Sequence, residues 1–398
     1  MSAFVLAVPA TGAGCGGLLQ PSCPPPRSAP APDPGGDVNA NLPVPPAGGK
    51  LFGFNTNLWW QTSGGKDLVP FEVMRSAQAG AQLIRTTVTW ATLSSGPAEP
   101  LGPEAVHPRG AVPDPSALKQ LDELYDRATA AGLRLDLIVN NAPKWASAYA
   151  YCRQSLGGYP VGCGPVAQGK RLYPTAAHLQ DLSNFVAALG RRYPGVVFET
   201  WNEPNLDTGP QVVGGAFVGQ MQCAVWQAAK ALPVPSTVLS AAFGDFHGDD
   251  ATRQYMRDFY STGSGCFDRL SVHTYNEDVH SFGADSPLAV HMQVYRSVRA
   301  EEADTRPMWV TEFGFSTARA DGAVSETDQD TLTRAEYNKL LSMPDVEAAI
   351  VHTLRDAPLP SHSLFPQSDI EYGYGWIHQN GTPKHVYCDF AAVAGHTC

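Results

Sequence analysis

Two glutamates in this 398-residue chain are placed to do chemistry. Glu203 lies in FETWNEPN, residues 198–205, between an amide and a proline, and Glu312 lies in WVTEFGFST, residues 309–317. Each is wrapped in apolar and aromatic neighbours, where a charged side chain is rarely buried without a partner. Two carboxylates facing one another across a site can divide acid and base work. One protonates a leaving group while the other attacks or activates water. Other residues fit the same task. Arg85, in QLIRTTVTW, can ion-pair with a carboxylate and keep it ionised. Asn202 can hydrogen-bond a substrate hydroxyl, and His273 and Tyr275, in RLSVHTY, can orient and tune a nucleophile.

The elements that must position these residues follow from periodicity. From residue 51 onward, short apolar, β-branched segments alternate with longer amphipathic ones. The expected strands are 51–57, 82–90, 133–140, 196–201, 236–243, 269–275, 308–314 and 347–354. The expected helices are 69–80, 115–131, 176–192, 213–231, 249–262, 286–302, 325–342 and 384–395; Leu118, Leu121, Leu124, Tyr125 and Ala128 line one face of the second. Repeated βα alternation implies a parallel sheet with right-handed crossovers. Eight units in about 350 residues is the count for an α/β (β/α)8 TIM barrel. An open doubly wound sheet would carry a Gly-rich phosphate loop after its first strand, and GFNTNLWW has none.

A barrel of this kind puts its chemistry at the C-terminal ends of the strands. Glu203 follows the fourth strand and Glu312 lies near the end of the seventh. Trp59, Trp60, Trp90, Trp145, Trp201 and Trp376 also fall at strand ends or in the following loops. Aromatic faces outside a core suit the apolar faces of sugar rings. Trp59, Trp60, Trp90, Trp145 and Trp376 are therefore candidate substrate contacts, and Trp201 a candidate part of the wall. Asn140, ending the third strand beside Asn141, is a candidate hydroxyl ligand. His352 and Asp356 at the eighth strand have two readings, substrate contact or packed barrel residues. Asp245, His247, Asp249 and Asp250, in GDFHGDD, read as a loop with acidic residues near a helix N-terminus rather than as a metal site. No nucleophile-elbow serine, Walker loop or HExxH is present. No cofactor and no metal are expected.

Composition bounds the rest. Apolar residues make up 43% and charged residues 16%, with a net charge of 27 − 38 = −11. There is no basic block, which argues against nucleic acid and anionic membranes as partners. Residues 1–20 resemble the end of a signal region or a lipoprotein remnant, with Cys15 as the candidate lipid anchor. The apolar run is too short to span a bilayer. Residues 21–49, with ten prolines, read as an extended linker, so the folded domain is expected over 50–398. Eight cysteines without CxxC spacing favour disulfides and an extracytoplasmic, secreted or cell-envelope location. Cys152–Cys163 would close a Gly-rich loop and Cys388–Cys398 would pin the C-terminus. Cys223–Cys266 then pairs by elimination, and Cys15 with Cys23 last. The chain is expected to act as a monomer.

WNEPN after a fourth strand, HTY on the sixth and TEFGFST on the seventh resemble the clan A glycoside hydrolases, most closely families 39 and 5. GYGWIHQNGTPKHVY is similar to the end of those barrels, and the resemblance covers about 50–398. It implies Glu203 as general acid/base and Glu312 as nucleophile, with retention of configuration. It also implies supporting roles for Arg85, Asn202, His273 and Tyr275. Two features depart from the pattern: DTGP after Leu206, and Trp376 where many relatives have a smaller apolar residue. The expected function is retaining hydrolysis of O-glycosidic bonds in an oligo- or polysaccharide. The alternatives are an exo-acting xylosidase or arabinofuranosidase, a transglycosylase, and a non-catalytic carbohydrate-binding barrel.

Overall fold

The computed structural model describes residues 50–56, 68–94, 96–98, 101, 115–147, 172–207, 213–244, 250–275, 282–283, 286–318, 322–357 and 370–398. The N-terminal segment, Trp59, Trp60, Cys15, Cys23, Cys152, Cys163, Asp245, His247 and Asp249 lie outside these residues.

The described chain alternates strand and helix through eight units: β1 Leu51–Asn55, α1 Val69–Gln78, β2 Leu83–Thr89, α2 Pro115–Ala130, β3 Arg134–Asn140, α3 Leu179–Arg192, β4 Val197–Thr200, α4 Gly215–Lys230, β5 Val238–Leu239, α5 Asp250–Gly263, β6 Leu270–His273, α6 Pro287–Glu301, β7 Met308–Phe313, α7 Glu326–Ser342, β8 Val346–Val351 and α8 His385–Val393. All strand pairs are parallel, in the order β5-β4-β3-β2-β1-β8-β7-β6. The ring closes between β5 and β6 through the bridges Leu239–Arg269 and Phe243–Val272. This is the (β/α)8 barrel that the alternation implies.

The fifth strand is shorter than the expected 236–243. Beyond Leu239 the Ser240 hydroxyl, not a backbone carbonyl, accepts the Ser271 amide at 2.9 Å. A side chain standing in the ladder interrupts the strand there, although Ser240 N still donates to Arg269 O.

The helices bury one stripe each. In α3 the buried set Leu182, Phe185, Val186 and Leu189 has helical spacing. Ser286 and Ser325 cap α6 and α7 by accepting the Ala289 and Asp328 amides. α4 and α5 approach closely because of Gly219. A Cβ there would stand 2.6 Å from the Phe259 carbonyl oxygen. The Cys223–Cys266 disulfide ties the same pair of units, and Cys388–Cys398 ties α8 to the C-terminus. Two disulfides fit an extracytoplasmic location. No helix among the described residues is long and apolar enough to cross a membrane.

Inside the barrel the strands stack two kinds of layer. Leu83, Val197, Leu239, Trp309, Ala348 and Ile350 form a separate apolar cluster within the ring. Two residues beyond Leu83, Val197 and Trp309 come Arg85, Glu199 and Thr311, which with Ser271 of β6 are fully buried and joined in a chain of hydrogen bonds. The apolar layer therefore carries a polar one above it, and the site is built on that polar layer.

Candidate active site

Glu203 and Glu312 reach one place from opposite sides of the ring. Glu203 follows β4 through unusual backbone: Trp201 and Glu203 have φ of 75° and 46°. Left-handed φ is uncommon outside glycine and collects at functional sites. Gly244 leaves room for the carboxylate, since a Cβ there would lie 2.9 Å from Glu203 Oε1. Glu312 is brought inward by an irregularity. The β7–β8 register shifts between Val310 and Phe313. Consecutive Thr311 and Glu312 both bond groups inside the barrel, Thr311 to Ser271 and Glu312 to Arg85. A bulge beside a site re-aims side chains in this way.

The two glutamates differ in their surroundings. His273 Nδ1 lies 2.7 Å from Glu203 Oε1, and Asn202 Nδ2 lies 3.4 Å from Glu203 Oε2. Glu312 is held at both oxygens. Arg85 Nη1 donates to Oε1 at 2.6 Å and the Tyr275 hydroxyl donates to Oε2 at 2.6 Å. His273 Nε2 and His352 Nδ1 each stand 3.6 Å away, one beside each oxygen. Burial opposes ionisation of Glu312. The positive field of His273, His352 and Arg85, with the Tyr275 hydrogen bond, outweighs it and holds the carboxyl well below the usual carboxylate range. Burial, then the Glu312 charge, pushes the Tyr275 phenol well above its ordinary value, so it remains a donor.

Arg85 is itself fixed from below. Its Nε donates to Glu199 Oε2 at 3.1 Å and its Nη2 pairs with Glu199 Oε1. Nη1 also reaches Asn55 Oδ1 at 2.6 Å, and Nη2 reaches Asn202 Oδ1 at 2.8 Å. Burial works against the cation, but Glu199 and Glu312 more than offset it and raise its pKa further. Asp136, fully buried nearby, is pushed well up by burial and then by the Glu199 charge.

An oxygen of each glutamate and a ring nitrogen of His273 lie within 4.8 Å of one another. These atoms are of the kind that ligate a divalent cation. The Arg85 guanidinium already bonds Glu312, and a fixed positive charge in that shell opposes a second one.

The structure brings together Glu203, Glu312, Arg85, Asn202, His273 and Tyr275 as the strand positions imply. Three other candidate contacts are buried. Trp376 is 1% exposed and packs among Phe52, Phe54 and Phe390. Trp90 is 1% exposed, stacked on Phe185 and edged by Trp145. Rings enclosed on these faces are core and offer no platform to a sugar. Asn140 is buried and its Oδ1 accepts the adjacent Asn141 amide at 2.9 Å, a local turn contact. Trp145 remains partly exposed, against Trp90 and His178. Trp201, buried, stacks on Tyr173 at 4.4 Å.

Glu199, Asn55 and Gly244 are site residues that pattern reading passes over. For Glu199 a signal exists: a carboxylate in mid-strand, flanked by Phe198 and Thr200, needs a buried partner. Gly244 has no such signal, because only the folded chain sets its Cβ direction against Glu203.

A (β/α)8 barrel with paired glutamates at the ends of its fourth and seventh strands is the arrangement in which two carboxylates can share the work of glycoside hydrolysis. Residues 181–351 match the family model described as glycosyl hydrolase catalytic core, which spans β4 to β8 and both glutamates. No curated protein sequence matches the chain. Solved structures of clan A enzymes share the fold. A family 39 glycoside hydrolase from Bacteroides cellulosilyticus WH2 is 18% identical with a TM-score of 0.56, covering 89% of this chain and 64% of its own. A GH5_18 protein from Streptomyces cattleya, in complex with Manβ1-4GlcNAc, is 18% identical with a TM-score of 0.60, covering 87% and 80%. An exo-β-1,4-mannosidase from Opitutaceae bacterium strain TAV5 is 18% identical with a TM-score of 0.55, covering 87% and 59%. The chain thus spans under two thirds of the length of the first and third of these.

Proposed function

We propose that the chain hydrolyses a β-glycosidic bond with retention of configuration, through a covalent glycosyl-enzyme. The observation that carries this is the closeness of the two glutamates together with their unequal settings. Retaining enzymes hold their carboxyl groups roughly 5–5.5 Å apart, and inverting enzymes roughly 6.5–9.5 Å apart to admit water. Carboxylate oxygens within 4.8 Å of one another support the first arrangement.

Glu312, held ionised by Arg85, Tyr275 and the histidines, attacks the anomeric carbon. Glu203, in contact with His273, donates its proton to the departing glycosidic oxygen. It then takes a proton from the water that cleaves the glycosyl ester, returning Glu312 to its starting state. Asn202, bonded to Arg85, stands beside both and suits a ring hydroxyl.

The mannose-containing complex and the mannosidase among the fold neighbours make β-mannosides the first substrates to try. The two disulfides and the apolar N-terminal run favour action outside the cytoplasm. The test is a glycan-panel digest with product sizing, run on wild type, Glu203→Gln and Glu312→Gln. Wild type should release sugar and each variant should lose at least about a thousandfold in rate. Azide should rescue Glu312→Ala and yield a glycosyl azide of inverted configuration. Full activity in both Gln variants would remove the mechanism.

A further inference from the structure

On the β8 side of Glu312 stands a second carboxylate. His352 Nδ1 lies 3.6 Å from Glu312 Oε2, and His352 Nε2 lies 3.5 Å from Glu371 Oε2. One imidazole ring therefore separates the two glutamates. Glu371 keeps 58% of its side-chain surface, against 12% for His352. The Tyr374 ring lies 5.3 Å from His352 and 5.6 Å from Tyr275, so three rings meet edge to face beside the His352 imidazole.

The segment carrying Glu371 is tied down. Ser316 Oγ donates to the Ile370 carbonyl, the Thr317 amide donates to Gly373 O at 3.0 Å, and the buried Lys384 ammonium donates to Gly373 O at 3.1 Å. An exposed acidic side chain on a braced turn is preorganised for a ligand. His352 adds a second sign. Its Nδ1 is buried and has no hydrogen-bond partner among the described residues. A buried polar group left in that state costs stability unless something arrives to bond it.

We propose that Glu371 and His352 bind the hydroxyls of the sugar that becomes joined to Glu312, and so determine which sugar is accepted. This rests on the reading of Glu312 as nucleophile. The leaving oxygen must lie at Glu203. His273 flanks Glu312 on that side, and His352 flanks it at the other oxygen. The ring carbons beyond the anomeric centre then extend towards His352 and Glu371. Sugar hydroxyls donate well to a fixed carboxylate, and such charge-assisted bonds are the stronger kind. Nδ1, 3.6 Å from Glu312 Oε2, is placed to donate to a hydroxyl oxygen brought to that carboxylate. Burial opposes the His352 cation, but Glu312 and Glu371 raise its pKa above the usual histidine value and favour the doubly protonated ring this needs. A site built to bond a hydroxyl rejects a sugar that lacks or inverts it far more strongly than an apolar wall does.

The test uses 2,4-dinitrophenyl β-glycosides of glucose, mannose, galactose and xylose. That leaving group departs without help from Glu203, so the rates report sugar recognition and attack. Values of kcat/KM are measured for wild type, Glu371→Gln and Glu371→Ala. If the glycan panel yields the better substrates, its two best are used instead. The exposed position of Glu371 leaves the core intact, which a thermal melt checks. The ratio between the best and the second-best sugar should fall at least about tenfold in both variants, with the loss concentrated on the best sugar. An unchanged ratio, whether all sugars slow equally or none does, overturns the proposal. A wild-type protein that cleaves neither the aryl glycosides nor the panel removes the glycosidase reading itself, and this subsite with it.

Discussion

Arg85 joins Glu199 to Glu312: one edge of its guanidinium grips the Glu199 carboxylate, and Nη1 holds Glu312 at 2.6 Å. Both Arg85 and Glu199 are fully buried. A guanidinium bonded bidentately by Glu199 cannot turn, so Oε1 of Glu312 is fixed by a fully buried residue. Glu199→Gln should therefore act on stability and catalysis together. Removing one charge from a buried pair costs about 3–5 kcal/mol. The expected result is a urea midpoint lowered with an unchanged slope, and a kcat/KM reduced more than about tenfold. A variant with wild-type midpoint and rate would show that Arg85 needs no support from Glu199.

Tyr275→Phe isolates the other oxygen. The hydroxyl donates to Glu312 Oε2 at 2.6 Å, and a hydrogen bond to a charged group contributes about 1.5–3 kcal/mol. The attack step should slow by roughly ten- to a hundredfold. The pH profile gives the sign. In the proposed mechanism Glu312 must be ionised to attack, and Tyr275 is one of the groups that hold its pKa down. Without that hydroxyl the pKa rises, so the acidic limb of kcat/KM should move to higher pH. An acidic limb that stays in place or moves to lower pH contradicts this assignment.

Much of this arrangement is legible before folding, and the reasons are physical. The βα alternation and the positions of Glu203 and Glu312 follow from periodicities of two and 3.6, which one sequence shows directly. Arg85, Asn202, His273 and Tyr275 sit at strand ends, and the barrel brings strand ends together. Trp90 follows β2 and Trp376 lies in the segment between β8 and α8, yet both pack into the helix layer, Trp90 on Phe185 and Trp376 on Phe390, a direction that position in the sequence does not set. The β7 irregularity that puts Thr311 and Glu312 on one side is a property of strand pairing, not of local composition. The Glu371–His352 contact joins a loop to a strand end, and its geometry depends on the anchoring of the loop by Ser316, Thr317 and Lys384.

The two disulfides should contribute unequally. Cys223–Cys266 closes 43 residues and Cys388–Cys398 closes 10. Loop-closure entropy then assigns about 4 kcal/mol to the first and about 3 kcal/mol to the second. The double substitution Cys223→Ser, Cys266→Ser should lower the unfolding free energy more than Cys388→Ser, Cys398→Ser does. Equilibrium unfolding in urea, with and without reductant, measures both. The opposite order would mean that the C-terminal bridge does more than close its loop, for example by holding α8 against the core.

His378 carries a pH dependence of stability that is separate from catalysis. It lies 3.1 Å from Glu326 and 3.4 Å from Asp356, which in turn accepts from the buried Lys384 at 2.9 Å. The Asp356 and Glu326 hydrogen bonds push the His378 pKa up to about 9. A group whose pKa is raised on folding stabilises the fold fully below its unfolded value, near 6.5, and loses that contribution as pH climbs through the folded one. The wild-type melting temperature should therefore decline between pH 6.5 and about 9. His378→Gln should melt lower at pH 6 and converge with wild type by about pH 10. The ring is partly exposed, so salt should shrink the difference at pH 6. Parallel melting curves across this range would place the stabilising charge elsewhere in the Asp356–Lys384 network.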